Sequence, residues 1–390
     1  MINSRIDVNE NKVYITSNSE FDKESKIIFS NKNDVIYETY LKFIANIEFW
    51  MSPQNMFKYH SVILVKIYDN DKIIHENSFI IRNNSEVKKP LVYIIGCFGD
   101  VLYTTSILRL IYKAYQHKVY LSTSSPEIFI NNPYVEIIDI NTINIQDYEV
   151  FNLNEGISSG NNIIKHIRKM HLIDFFSMNI GAILTPEEKQ IDFFPDVYDN
   201  KFNLPDDYIC INPSKTWNSR TWSTDNWNKL IKMLEMINIK VVMLGKDINY
   251  LQYNNDNKGF VEIKNENIID LTNQTSLSDA HYIINKSKVF ITMDSGLLVL
   301  AGATDTNIIQ IGSSINPYYR APYRNGSQHY KYCHIPGECK LFCASDLKYS
   351  LNICRNLSNF PIATDCLENY ESFKCHPTPN QVFKKIINYV

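Results

Sequence analysis

The hydrophobic rhythm of the chain changes along its length, and each change predicts a different kind of structure. Residues 1–88 carry short β-branched and aromatic runs, "KVYITS", "KIIFS", "SVILVKIYD" and "SFIIRN", parted by Asn, Asp and Ser. Such runs predict strands, and Asn70-Asp71 within "IYDNDKIIHE" predicts a hairpin. No glycine occurs before residue 89, so the turns rest on Asn and Asp. A small antiparallel sandwich or barrel is expected.

From Lys89-Pro90 the apolar runs become continuous. "PLVYIIG" predicts a strand buried on both faces. "VLYTTSILRLIYKAY" then places Val101, Leu102, Ile107, Leu108, Ile111 and Tyr115 on one helical stripe. "KVYLSTS" and "YVEIIDI" are further strands. The pattern restarts at "YICINPS" and runs through the helix "WNKLIKMLEMI", the strand "KVVMLG", the helix "SLSDAHYIINKS" and the strand "VFITM". "DSG" opens a helix at "LLVLAGA", and "NIIQIG" is the next strand. Alternating strands and helices imply parallel sheets with right-handed crossovers. In "HPTPNQVFKKIINYV", Thr378, Pro379 and Gln381 spell an N-cap, a first-turn proline and a capping box. Val382, Phe383, Ile386, Ile387 and Val390 form the apolar face of that last helix.

These shifts set the expected boundaries: a β-rich domain over 1–88, Rossmann-like domains over 89–204 and 205–330, a cysteine-rich segment over 331–377, and a closing helix over 378–390. The fold class is α/β.

Composition narrows the function. The 390 residues carry a net charge of −3, so no basic field points to nucleic acid. No run approaches the roughly 20 apolar residues of a membrane span. Polar and charged residues follow Met1, so no signal peptide is expected and a cytoplasmic protein is the default. Of eight cysteines, Cys333, Cys339, Cys343, Cys354, Cys366 and Cys375 crowd into the tail. In a reducing compartment such a cluster suggests metal ligation before disulfides, with reduced buried thiols as the alternative.

In open parallel sheets ligands sit beyond the carboxyl ends of strands. Three loops leave such ends. Gly96-Cys97-Phe98-Gly99-Asp100 lets backbone approach a ligand at Gly96 and Gly99 and sets Asp100 near a helix start, where it also suits capping. Asp294-Ser295-Gly296 precedes another helix, whose free N–H groups suit a diphosphate. "NPSKTWNSRTWSTDNW" holds Lys215, Arg220 and three of the four tryptophans. A lysine gives a phosphate a point charge and an arginine a bidentate contact, while the indoles shield the site or support the loop. Together the loops suggest a cleft between domains that holds a nucleotide diphosphate.

Three stretches, "GCFGDVLYTTSILRLI", "INPSKTWNSRTWSTDNWNKLIKML" and "FITMDSGLLVLAGAT", resemble the motifs of the family 9 glycosyltransferases, which include ADP-heptose-using heptosyltransferases. The resemblance implies a glycosyltransferase B-type fold, inverting chemistry and no catalytic metal. It makes 89–204 the acceptor domain and 205–330 the nucleotide-sugar domain, with the last helix packed on the first Rossmann domain. It casts Asp100 as general base, Lys215 as a donor phosphate contact, Asp294 as holder of a sugar hydroxyl, and the Ser295-Gly296-Leu297 backbone as diphosphate ligand. Arg220 joins Lys215. The family's usual histidine is Val299 here.

The β-rich front and cysteine-rich tail look like those of the bacterial autotransporter heptosyltransferases, cytosolic enzymes that modify protein serines and hold an iron on four cysteines. That pattern selects Cys339, Cys343, Cys366 and Cys375 for a structural iron or zinc. Cys333 and Cys354 are then spares, with His334 and His376 as substitute ligands. The partners implied are a nucleotide-sugar donor, ADP-heptose above all, and a protein or glycan acceptor; a homo-oligomer is compatible. Competing readings are a glycan-directed transferase, a nucleotide-sugar-binding adaptor without turnover, and an epimerase or phosphorylase on the same fold.

Overall fold

The computed structural model describes residues 2–7, 12–18, 21, 25–30, 35–41, 48–51, 62–80, 88–115, 117–154, 170–180, 182, 184–197, 201–215, 218–247, 259–343 and 373–390. The chain divides into two compact units. One comprises residues 1–95, 107–123 and 134–185, the other residues 96–106, 124–133 and 186–390.

The first unit opens with antiparallel strands. β1 (Ile2–Asp7), β2 (Lys12–Ser17) and β5 (Glu48–Met51) form one sheet in the order β1-β2-β5. β3 (Ser25–Ser30), β4 (Val35–Leu41), β6 (Val62–Asp69) and β7 (Lys72–Ile80) form another, ordered β4-β3-β6-β7. Alternation buries Ile27 and Phe29 on one face of β3. The hairpin between β6 and β7 turns at Asn70 and Asp71, both at positive φ (47° and 64°), as a two-residue turn of this twist requires. β8 (Lys89–Ile94), β9 (Val119–Thr123), β10 (Val135–Ile137) and β11 (Tyr148–Asn152) make a parallel sheet ordered β10-β9-β8-β11.

The helix after β8 is not continuous. α1 (Phe98–Tyr103) ends at Thr104, and α2 (Thr105–Tyr115) follows. The hydroxyls of Thr104, Thr105 and Ser106 donate back to the carbonyls of Val101, Leu102 and Tyr103. Such back-bonding competes with the helical ladder and bends it. The apolar stripe spans the break unchanged: Val101, Leu102, Ile107, Leu108 and Ile111 are all buried.

The second unit is built on a parallel sheet of β12 (Tyr208–Asn212), β13 (Lys240–Met243), β14 (Ile268–Asp270), β15 (Val289–Thr292), β16 (Asn307–Ile311) and β17 (Tyr332–Ile335). Their order is β14-β13-β12-β15-β16-β17. Counted from β12 this is the Rossmann order 3-2-1-4-5-6, whose direction reverses between β12 and β15. Continuous apolar sequence suits these central strands, since every residue of β12 and β15 is buried. α4 (Thr224–Met236) starts on a Ser223 cap and buries Trp227, Leu230, Ile231 and Leu234. α3 (Leu172–Asn179) belongs to the first unit; α5 (Leu277–Lys286) and α6 (Gly296–Ala301) belong to the second.

The last helix, α7 (Pro379–Ile386), has the full capping box of Thr378 and Gln381. Its location differs from the one the resemblance implied. Val382 and Ile386 are fully buried in the core of the second unit's sheet, beside Trp222, Trp227 and Leu230. The cause is upstream: the indole N–H of Trp222 donates to the Pro377 carbonyl at 2.9 Å and fixes the chain where α7 begins. Ile387 and Val390, expected on the buried face, remain 43% and 38% exposed. Among the described residues no helix is long and apolar enough to cross a membrane.

Candidate functional site

The loops after β12 and β15 flank the place where the strand order reverses, and a row of buried polar groups joins them. Thr292 Oγ1 donates to Asn212 Oδ1 at 3.1 Å and lies 3.0 Å from Ser295 Oγ; Asn212 Nδ2 donates to the Leu244 carbonyl. Ser295 caps α6 by accepting from the Leu298 N–H. The two strand ends are thus tied before any charge is added.

Arg220 closes a short 3₁₀ turn (Asn218–Arg220) and reaches across to the neighbouring loop. Its Nη2 lies 3.1 Å from Asp294 Oδ2 and donates to the Asp294 carbonyl at 2.7 Å. The pair is largely buried, at 17% and 8% side-chain exposure, so it is shielded from screening more than a surface bridge would be. Lys215 is anchored through its backbone N–H to Gly259. Trp222 and Trp227 meet edge to face 4.9 Å apart and are both fully buried. They support the loop as core rather than line a ligand surface. Trp217 lies outside the described residues.

Asp100 is the third residue of α1, not its cap; Cys97 holds that position without a side-chain bond. The helix is pressed against α6 through glycine. A Cβ on Gly99 would stand 3.2 Å from Gly296 Cα, and one on Gly296 would stand 2.4 Å from Phe98 Cδ1. Val299, where the family's histidine was expected, is buried and fills this same contact. The packing brings Asp100 into the field of Arg220 and Asp294.

Arg320 completes the group. It follows a second 3₁₀ turn (Pro317–Tyr319) in the loop after β16. Burial pushes the Asp100 carboxyl above its ordinary range; Arg320 and then Arg220 pull it back, Asp294 adds to the rise, and the Cys97 N–H bonds the carboxylate. Burial works against the Arg320 charge, yet Asp294 and Asp100 outweigh it and hold the guanidinium above its usual value. Cys97 is pushed up by burial and by Asp100. The result is two carboxylates and two guanidiniums at strand ends, a setting suited to a general base beside a diphosphate. Asp100, Arg220, Asp294, Ser295, Gly296 and Leu297 come together. Arg320 was missed by sequence reasoning, although it leaves the carboxyl end of β16 and the same strand-end rule reaches it.

The cysteine segment follows β17. The Gly337 N–H donates to the Cys375 carbonyl at 3.0 Å and the Cys339 N–H to the Lys374 carbonyl at 2.9 Å. This pairing is tight, since a Cβ on Gly337 would stand 2.3 Å from the Lys374 carbonyl oxygen. Cys339, Cys343 and Cys375 are half-buried. Cys366 and Cys354 lie outside the described residues. Among the described residues no three His, Cys, Asp or Glu side chains gather as a metal group. Cys333 packs against the sheet core. His376 is engaged at 3.0 Å with the Ser219 carbonyl. His334 Nε2 is buried without a partner, and burial lowers its pKa to about 4.

The family model described as glycosyltransferase family 9 (heptosyltransferase) matches residues 185–340. The matched stretch contains all six strands of the second unit and the loops bearing Lys215, Arg220, Asp294 and Arg320. The chain is similar in structure to the iron-containing dodecameric glycosyltransferase TibC of enterotoxigenic E. coli H10407, at 14% identity and a TM-score of 0.58, covering 99% of this chain and 94% of that one. A second TibC structure, in complex with ADP-D-beta-D-heptose, gives 12% identity and a TM-score of 0.57, covering 100% and 95%. A family 9 glycosyl transferase from Veillonella parvula DSM 2008 gives 15% identity and a TM-score of 0.48, covering 77% and 97%. At these identities the first two likenesses show the α/β fold with parallel sheets. No curated protein matches the chain in sequence.

Proposed function

We propose that this glycosyltransferase, whose residues 185–340 form a family 9 (heptosyltransferase) domain, is an inverting enzyme that moves a heptose from ADP-heptose to an acceptor hydroxyl with Asp100 as general base. The observation that carries this reading is the cluster of Asp100, Asp294, Arg220 and Arg320 beside the strand reversal between β12 and β15. The acceptor oxygen attacks the anomeric carbon as the bond from that carbon to the diphosphate breaks. Its proton passes to Asp100, and ADP leaves with the electron pair. A base poised by partial desolvation is matched to that transfer. Lys215 and the Ser295–Leu297 backbone take the developing diphosphate charge, and Arg220 adds its charge while holding Asp294 toward a sugar hydroxyl.

The acceptor in this reading is a protein serine. Its support is the fold likeness to TibC, which runs across the β-rich front as well as the sheets. The same likeness, to a neighbour described as iron-containing and dodecameric, supports a homo-oligomer and a structural iron or zinc on Cys339, Cys343, Cys366 and Cys375. The donor set fits: Cys339, Cys343 and Cys375 are half-buried, and Cys339 and Cys375 sit on segments already paired through backbone. Four thiolates close a tetrahedral site, so such an ion would brace the tail and leave the transfer to Asp100.

Incubation with ADP-heptose, UDP-sugars and GDP-sugars, read by mass spectrometry of released nucleotide and product, tests the reading. ADP-heptose turnover is expected. Binding of ADP-heptose with no turnover on any acceptor would make the protein an adaptor.

A further inference from the structure

Arg320 has a fixed relation to Asp100 that the reaction scheme does not yet use. Asp100 and Tyr103 stand one turn apart on α1, so they share a face. The Tyr103 hydroxyl, nearly fully buried, donates to the Arg320 carbonyl. On the other side Gln328 Nε2 donates to the carbonyls of Tyr318 and Ala321 at 2.8 and 3.0 Å, clamping the turn around Arg320. The Arg320 N–H closes the turn onto Pro317. The backbone that carries this guanidinium is therefore stapled to the helix that carries Asp100.

The charges around Asp100 are few and can be named. From its own helix come Tyr103 and the Cys97 thiol; from the turn after β12, Arg220; from the loop after β15, Asp294; from the loop after β16, Arg320. Arg220 is committed to Asp294 by both an ion pair and a carbonyl bond. Among the described residues Arg320 closes no such ion pair, so its field acts on Asp100 and Asp294 across space.

We propose that Arg320 is a positioning residue for glycosyl transfer: stapled to α1 by Tyr103, it holds a positive charge beside the Asp100 and Asp294 carboxyls and so equips Asp100 to accept a proton. The proposal rests on Asp100 being the base. Without Arg320, Asp100 faces Asp294 with only the already paired Arg220 to offset it.

The test is the pH profile of ADP release from ADP-heptose, with water as acceptor, in full-length protein. Arg320→Met is expected to move the acid limb of kcat/KM upward by about one to three pH units, the range an adjacent opposite charge commands, with the rate recovering at high pH. Arg320→Lys keeps a cation and moves the limb less. Tyr103→Phe frees the carbonyl and moves it slightly in the same direction. ADP affinity by calorimetry is read beside the limb in all three, so that loss of a phosphate contact is told apart from a moved limb. An unmoved limb in active Arg320→Met protein overturns the proposal, as does weakened ADP binding with an unmoved limb. If Arg320→Met does not fold, unmoved limbs in both Arg320→Lys and Tyr103→Phe overturn it. Asp100→Asn separates the two readings. Turnover surviving that change sinks the base assignment itself. An inactive Asp100→Asn beside an unmoved Arg320→Met limb sinks only the role of Arg320.

Discussion

The charged cluster at Asp100, Arg220, Asp294 and Arg320 and the cysteine segment at Cys339 and Cys375 are held by different means. Around Asp100, two carboxyl and two guanidinium side chains are fixed by buried strands, a glycine contact between α1 and α6, and hydrogen bonds made by Arg220 and by the Arg320 carbonyl. Around Cys375, two backbone hydrogen bonds and close approach at Gly337 hold the segment, and the thiols stay half-exposed. The first region is organised by its own folded core. The second is set by backbone pairing between the Gly337–Cys339 and Lys374–Cys375 stretches.

The sharpest break in this comparison is Asp100→Asn. It is isosteric, so folding and ADP binding should persist while transfer falls by roughly 10²–10⁴, the range for loss of a general base. Steady-state rates on ADP-heptose beside calorimetry with ADP decide it.

The tail should answer to a different perturbation. Metal analysis should find about one iron or zinc per chain, as a four-cysteine site implies. Cys339→Ser or Cys375→Ser should release it and lower the melting temperature, because ligation there is coupled to folding. Cys97→Ser and Cys210→Ser should keep the metal, since Cys97 stands at the start of α1 and Cys210 is buried in β12. Folded, active protein with no bound metal would leave the tail cysteines as thiols alone.

At the join between the two regions, His334 sits on β17 with a pKa lowered from 6.5 to about 4 by burial. Its neutral form is the folded form. Stability from this group is present above the unfolded value and is lost as pH falls from 6.5 toward about 4, by up to about 3 kcal/mol. In thermal melts the stability of wild type relative to His334→Gln should fall as pH drops through this window. Parallel curves would mean that His334 is not buried as the neutral base.

The smallest expected effect lies on the strut between the regions. Trp222→Phe removes the donor to Pro377 and leaves that carbonyl without it, at a cost of about 1–3 kcal/mol. The loss should appear as lower stability, with the ADP-release rate nearly unchanged at a temperature where the protein stays folded.

How much of this was legible depended on distance along the chain. Strand runs, the Asn70-Asp71 hairpin and the Thr378 capping box are local patterns, and each formed as read. Asp100, Arg220 and Asp294 were found because strand ends collect ligands, and the structure brings these three into one field. Arg320 lies on a loop the same strand-end rule reaches, but what marks it out, the bond from Tyr103 217 residues away to its carbonyl, is recorded by no periodicity. The break at Thr104 was hidden for another reason: apolar periodicity continues through it, while the hydroxyls that bend the chain are invisible to a hydrophobic pattern. The place of α7 was misjudged because an apolar face says that a helix docks and not where; Trp222 supplied the address.

The contact between Gly99 and Gly296 constrains any redesign of the enzyme. Their loops touch with no room for a methyl group at Gly296, where Phe98 already occupies the space. A chimaera that exchanges the 294–297 loop alone for one with a bulkier residue at that point would push α1 away and carry Asp100 with it. The positions of the 294–297 loop and of Asp100 are therefore mechanically linked, and folded variants should arise by swapping both loops together.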